Sequence, residues 1–142
     1  MDTLNDIIAR IEAAVDTDHF DFVQEECVDA LKAAGVGSEA IAPLLGIYER
    51  HPVSDFGMPG SMLHFVEAFD RQTYVPLLLA SFARRPAAHT AWALNRVLNA
   101  EKDEASRQAM LDLMKAALDR EDVEPEVKAE IQNFLRYQSE NE

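Results

Sequence analysis

Apolar positions recur along this chain with the spacing of a single helix face. Leu4, Ile7, Ile8, Ile11 and Val15 begin the pattern, at intervals of three and four that align them on one stripe. A second run, over about residues 20–34, carries Val23, Cys27, Ala30 and Leu31, and "AAGVGS" closes it. Glycine there supports a left-handed cap, and Ser38 opens the next helix. The third helix carries Ile41, Leu44, Leu45 and Tyr48 and stops at His51-Pro52, because a residue before proline avoids the α region. A fourth starts near Pro59 or Ser61 and shows Met62, Leu63, Phe65, Val66 and Phe69. Thr73 is the expected N-cap of a fifth, with Pro76 in the permissive first turn and Leu77, Leu78 and Phe82 behind it. A sixth runs over about residues 87–99 with Leu94, Val97 and Leu98. Asp103 caps a seventh carrying Met110, Leu111, Leu113, Met114 and Leu118, and an eighth begins near Pro125 with Val127, Ile131, Phe134 and Leu135. No stretch alternates with the period of a strand.

The pattern predicts an all-α protein: about eight short helices in antiparallel pairs, one with two, three with four, five with six, seven with eight. Each pair takes roughly 35 residues, the length of a helical-repeat unit. A HEAT-like α-solenoid fits, and an irregular helical bundle is the alternative. The 142 residues make one domain with a real core. The final "YQSENE" is polar, and the last five residues or so are expected to be disordered.

Charge narrows the choice of partners. Twenty-six acidic residues against 13 basic ones give a formal charge of −13, which repels nucleic acid and anionic lipid and draws basic partners. The single cysteine, Cys27, falls among apolar positions and reads as a buried structural thiol. "MDTLNDIIARIE" lacks the basic and apolar regions of a signal peptide, and "YVPLLLASFA" is about half the length that spans a bilayer. A cytoplasmic, reduced protein is the expectation.

Candidate chemistry is sparse. Asp55-Phe56-Gly57 matches the magnesium-binding triplet of protein kinases, but neither a glycine-rich phosphate loop nor an H-R-D catalytic loop accompanies it. The same residues suit a turn: Asp55 as turn former, Gly57 as a permissive hinge, Pro59 and Gly60 shaping a helix entry, Phe56 as an apolar plug. His64 and Glu67 share a helix face, yet the His-x-x-Glu order occurs once and no H-E-x-x-H or cysteine–histidine cluster supports a metal. Nothing resembling G-x-S-x-G is present. No catalytic residue, cofactor or metal is assigned.

The second helix of each pair carries a polar stripe instead: Asp21, Glu25 and Asp29; His64, Glu67 and Arg71; Trp92, Arg96 and Asn99, with Asn95 beside them. In a solenoid those helices line one wall, so the stripes stand side by side as a binding surface with one large aromatic. An ordinary solvated face with a core tryptophan is the plainer alternative. Glu67 is also placed to form a structural ion pair with Arg84 or Arg96.

Two segments, "DFGMPGSMLHFVEAF" and "TAWALNRVLN", resemble small helical immunity proteins of bacterial contact-dependent inhibition and polymorphic toxin systems. The matching residues are Asp55, Phe56, Gly57, Pro59, Gly60, His64 and Glu67, then Thr90, Trp92, Leu94, Asn95 and Arg96. They fall within residues 55–96, a span of about a third of the chain. The resemblance implies a non-enzymatic protein that binds a cognate toxin domain, often a nuclease with a basic cleft, and occludes its active site. The candidate partner-binding set is Asp21, Glu25, Asp29, Asp55, His64, Glu67, Arg71, Trp92, Asn95 and Arg96. A helical-repeat adaptor or regulatory subunit for another cytosolic protein is the second expectation, and an enzyme the third.

Overall fold

The computed structural model describes residues 2–141. Eight α-helices follow in order: α1 (Leu4–Ala14), α2 (Phe20–Ala33), α3 (Ile41–Arg50), α4 (Ser61–Glu67), α5 (Arg71–Arg84), α6 (Ala88–Ala100), α7 (Glu104–Leu118) and α8 (Pro125–Glu140), with one 3-10 turn, Ser38–Ala40, before α3. The described residues contain no strand. None of their helices is long and apolar enough to cross a membrane.

The helix boundaries follow from local chemistry. Thr3 and Asp6 form a reciprocal capping box at α1, and Asp103 caps α7 by accepting from the Ser106 N–H at 2.9 Å. Gly35, at φ 68, turns the chain after α2, where Val36 N–H returns to the Leu31 carbonyl. One boundary differs from the expected one. Asp70, not Thr73, caps α5, so the helix begins earlier and Pro76 lies in its interior. The carbonyl left without an intrahelical donor belongs to Gln72, which is exposed to water. The tail differs too: α8 continues through Glu140, with Gln138 only 3 % exposed; of the tail expected to be loose, Glu142 lies outside the described residues.

Odd and even helices form two layers. In the odd layer α1 packs on α3, α3 on α5 and α5 on α7; in the even layer α2 packs on α4 and α6 on α8. Pairs α1–α2, α5–α6 and α7–α8 close as hairpins, as the pattern predicts. The α3–α4 pair does not. α3 packs instead against α5 and α6, and α4, two turns long, sits under α2. Between α3 and α4 the segment 51–60 sets Phe56 and Pro59 into the core.

A recurring arginine binds the odd layer together. Arg50, at the end of α3, donates two hydrogen bonds to Glu12 of α1, at 2.7 and 2.8 Å. Arg84, at the end of α5, does the same to Glu49 of α3, at 2.9 and 2.8 Å. Arg120, just past α7, reaches the Ala83 and Arg84 carbonyls at the end of α5. The three arginines are spaced by one repeat, roughly 35 residues. Cys27, fully buried, is one of the core residues of α2, and desolvation raises its thiol above the ordinary value.

Candidate functional site

The segment Asp55–Gly60 is held from four sides. Asp55 Oδ1 accepts from Gly57 N–H at 2.9 Å, closing a local turn. Phe56 is 1 % exposed and meets Phe20, Tyr48 and His89 edge-on, with centroids 4.7–5.6 Å apart. Gln24, buried on α2, donates to the Phe56 carbonyl at 3.2 Å and accepts from Met62 N–H at 2.9 Å. One amide thus satisfies both the turn and the first turn of α4. Gly60 has φ 92, and a Cβ there would collide with the Phe56 carbonyl oxygen. The Met58–Pro59 peptide is cis.

His89, 7 % exposed on α6, completes this junction. Its ring stacks on Tyr48 at 4.7 Å, and Nε2 lies 2.7 Å from the Pro59 carbonyl oxygen. Only a protonated Nε2 can donate that bond. Burial pushes the imidazole pKa below its ordinary value, partly offset by the Pro59 bond. The triplet at 55–57 is therefore a built turn with an apolar plug. Among the described residues no three His, Cys, Asp or Glu side chains come together as a metal site.

The ten candidate residues are divided by the structure. Asp21, Glu25 and Asp29 are exposed on the outward face of α2, and among the described residues none has a hydrogen-bond or ion-pair partner. Phe22, 69 % exposed, lies on the same outward face. His64 is exposed on α4, and Trp92, half-buried on α6, meets His89 edge-on at 5.4 Å. Glu67 and Arg96 join α4 to α6 through a two-pronged bond, Nε to Oε2 at 2.6 Å and Nη2 to Oε1 at 2.9 Å. Arg84 is committed to Glu49 instead. Arg71 does not belong to α4: it is the first residue of α5 and pairs with Glu101. Asn95 is 7 % exposed beneath α8, where Gln138 Nε2 donates to its side-chain oxygen at 2.7 Å. It is removed from the open face. Asp55 is exposed, with one oxygen spent on its own turn.

The sequence pattern did not single out Phe22 or Met58. Phe22 lies off the apolar stripe of α2, and Met58 follows the permissive glycine; both are displayed, Met58 at 89 % exposure on the braced turn. A large apolar residue out of register with a helix stripe is the signal that marks the first. Thr90, which carries part of the resemblance, is fully buried and its hydroxyl accepts from Ala87 N–H at 3.2 Å.

Most of the arginine charge is spent within the fold. Arg10, Arg50, Arg71, Arg84, Arg85, Arg96 and Arg120 each hold a carboxylate. The surplus of acid is left to the surface, and the α2 row is part of it. No protein-family model, curated protein or solved structure gives a significant match to this chain.

Proposed function

We propose that this protein is an immunity protein: it binds a basic toxin domain and blocks that domain's active site, with no catalysis of its own. The observation that supports this reading is the row Asp21, Glu25 and Asp29 on α2, exposed and without intramolecular partners, with Phe22 among them. Free carboxylates on a rigid helix keep their full attraction for Lys and Arg, and they cost no internal bond when a partner arrives. An aromatic displayed within such a row suits the central anchor of an interface, ringed by charge. A nuclease cleft, lined with the cations that hold phosphate, offers the complementary surface. The two motif segments support the same reading through their resemblance, and they do so as scaffold: Phe56, Gly60 and Thr90 hold the fold.

The test is co-expression with a basic toxin domain if one is found encoded beside this gene, followed by co-purification and a survival count; a gene with no such neighbour also counts against the proposal. Protection together with a stable complex is expected. A toxin that kills equally well with and without this protein sinks the proposal.

A further inference from the structure

We infer that the recess between α6, α7 and α8 is a binding site for a neutral, hydroxyl-rich ring compound, a saccharide. The recess has a volume of about 710 Å³, within the range of ligand pockets. No residue of α2 lines it, so this inference stands independently of the toxin reading.

A built polar network forms the floor. Gln138, 3 % exposed on α8, accepts from Arg107 Nη2 at 3.1 Å and donates to the side-chain oxygens of Asn95 and Asn99 at 2.7 and 2.9 Å. Arg107 also donates to the Leu98 carbonyl at 2.7 Å. These bonds join all three helices, so the polar groups of the recess are positioned before any ligand arrives.

The exposed side chains of the wall are each half spent, which fixes what they offer. Asn99 uses its oxygen on Gln138 and keeps its N–H donors. Gln108 uses an N–H on Asp112 at 2.8 Å, and Asn141 uses one on the Tyr137 carbonyl at 2.7 Å, so both keep an accepting oxygen. Asn99, Gln108 and Asn141 are all open to solvent, so a ligand can reach them. Donors and acceptors thus stand together, and a hydroxyl is the neutral group that answers both at once. Charge points the same way. Glu104, one turn ahead of Arg107 on α7, lines the same recess and offsets its charge, while Glu101 is held by Arg71. Neither an anion nor a cation is favoured there, and the chain's charge of −13 leaves a neutral ligand unopposed. Tyr137, 45 % exposed, adds an aromatic ring against which the C–H face of a sugar can pack.

Glucose, galactose, mannose and N-acetylglucosamine are titrated into the full-length protein, with gluconate as the charged counterpart and glycerol as the ringless one. The side-chain amide signals of Asn99 and Gln108 and the Nε–H signal of Arg107 are followed. At least one sugar is expected to move all three with a dissociation constant on the order of 1–10 mM, and gluconate and glycerol to bind at least about fivefold more weakly. Tyr137→Ala is expected to keep the melting temperature and to weaken binding about fivefold. Should that variant fold poorly, Gln108→Ala, at an exposed position, is expected to weaken binding by about the same factor instead. The inference is overturned if no sugar moves these signals up to about 50 mM, if gluconate or glycerol binds as well as the best sugar, or if the folded variant binds unchanged.

Discussion

Two parts of the even-helix face carry the same kinds of residue and use them differently. Between α4 and α6, Glu67 is bound in a fork to Arg96, and the neighbouring segment 55–60 has its turn, carbonyl and ring all engaged. On α2, Asp21, Glu25 and Asp29 engage nothing among the described residues. A carboxylate that holds the fold is already neutralised locally, and removing it costs stability. A carboxylate left free contributes to the outer field and can be replaced without loss of fold. The 55–60 segment, which carries most of the resemblance, is thus the more structural part, and the α2 row is the more available one.

The largest effect expected on the structural side comes from Gly60→Ala. It places a Cβ against the Phe56 carbonyl and demands a positive φ, at a cost on the order of 4 kcal/mol in urea unfolding. A melt within experimental error of the parent would show that the segment relaxes freely. Gln24→Leu comes next. It leaves the Phe56 carbonyl and the Met62 N–H unpaired in the core, and about 2 kcal/mol should be lost; an unchanged midpoint would break the claim that one amide holds both groups.

A smaller, pH-dependent effect belongs to His89. Its folded pKa lies below the unfolded value of 6.5, so the unfolded chain binds the proton first. Its contribution is complete above pH 6.5 and declines as pH falls toward the folded pKa. Urea midpoints at pH 7.5 and 5.5 should differ for the parent and differ less for His89→Gln. Equal slopes in the two proteins would remove His89 from the acid response.

The α2 row should give the smallest effect on folding and a clear one on binding. Glu25→Lys with Asp29→Lys is expected to leave the thermal melt in place and to slow association with a basic partner by about tenfold at low salt, the difference shrinking as salt rises. If the double variant binds such a basic partner as fast as the parent, the row is not the interface. If it unfolds, the contrast between the two parts of the face fails.

The helix stripes were legible because burial imposes a period on the sequence wherever a helix has one covered side. Leu44, Leu45 and Tyr48 on α3, or Val127 and Ile131 on α8, are buried as their spacing implies. The separation of α3 from α4 was not legible. It depends on Phe56 reaching Phe20 and Tyr48, and on Gln24 bonding across 32 positions, which no local pattern encodes. Arg71 has the spacing of the α4 stripe, but Asp70 caps α5 ahead of it, and a proline beyond the first turn ordinarily marks a boundary, so the earlier start of α5 has no local signal. Pro76 is tolerated where the unbonded carbonyl faces water. Asn95 has the spacing of an open stripe, but α8 covers it from 43 positions away. The Glu67–Arg96 pair was foreseeable from charge, and its partner choice was fixed only by packing.

The arginines at the ends of the odd helices have a consequence for the order in which the molecule is made. Glu12 precedes Arg50, Glu49 precedes Arg84, and the Ala83 carbonyl precedes Arg120. In each case the acceptor is synthesised before its donor. As the chain leaves the ribosome, every new pair of helices arrives carrying a clasp whose other half is already outside.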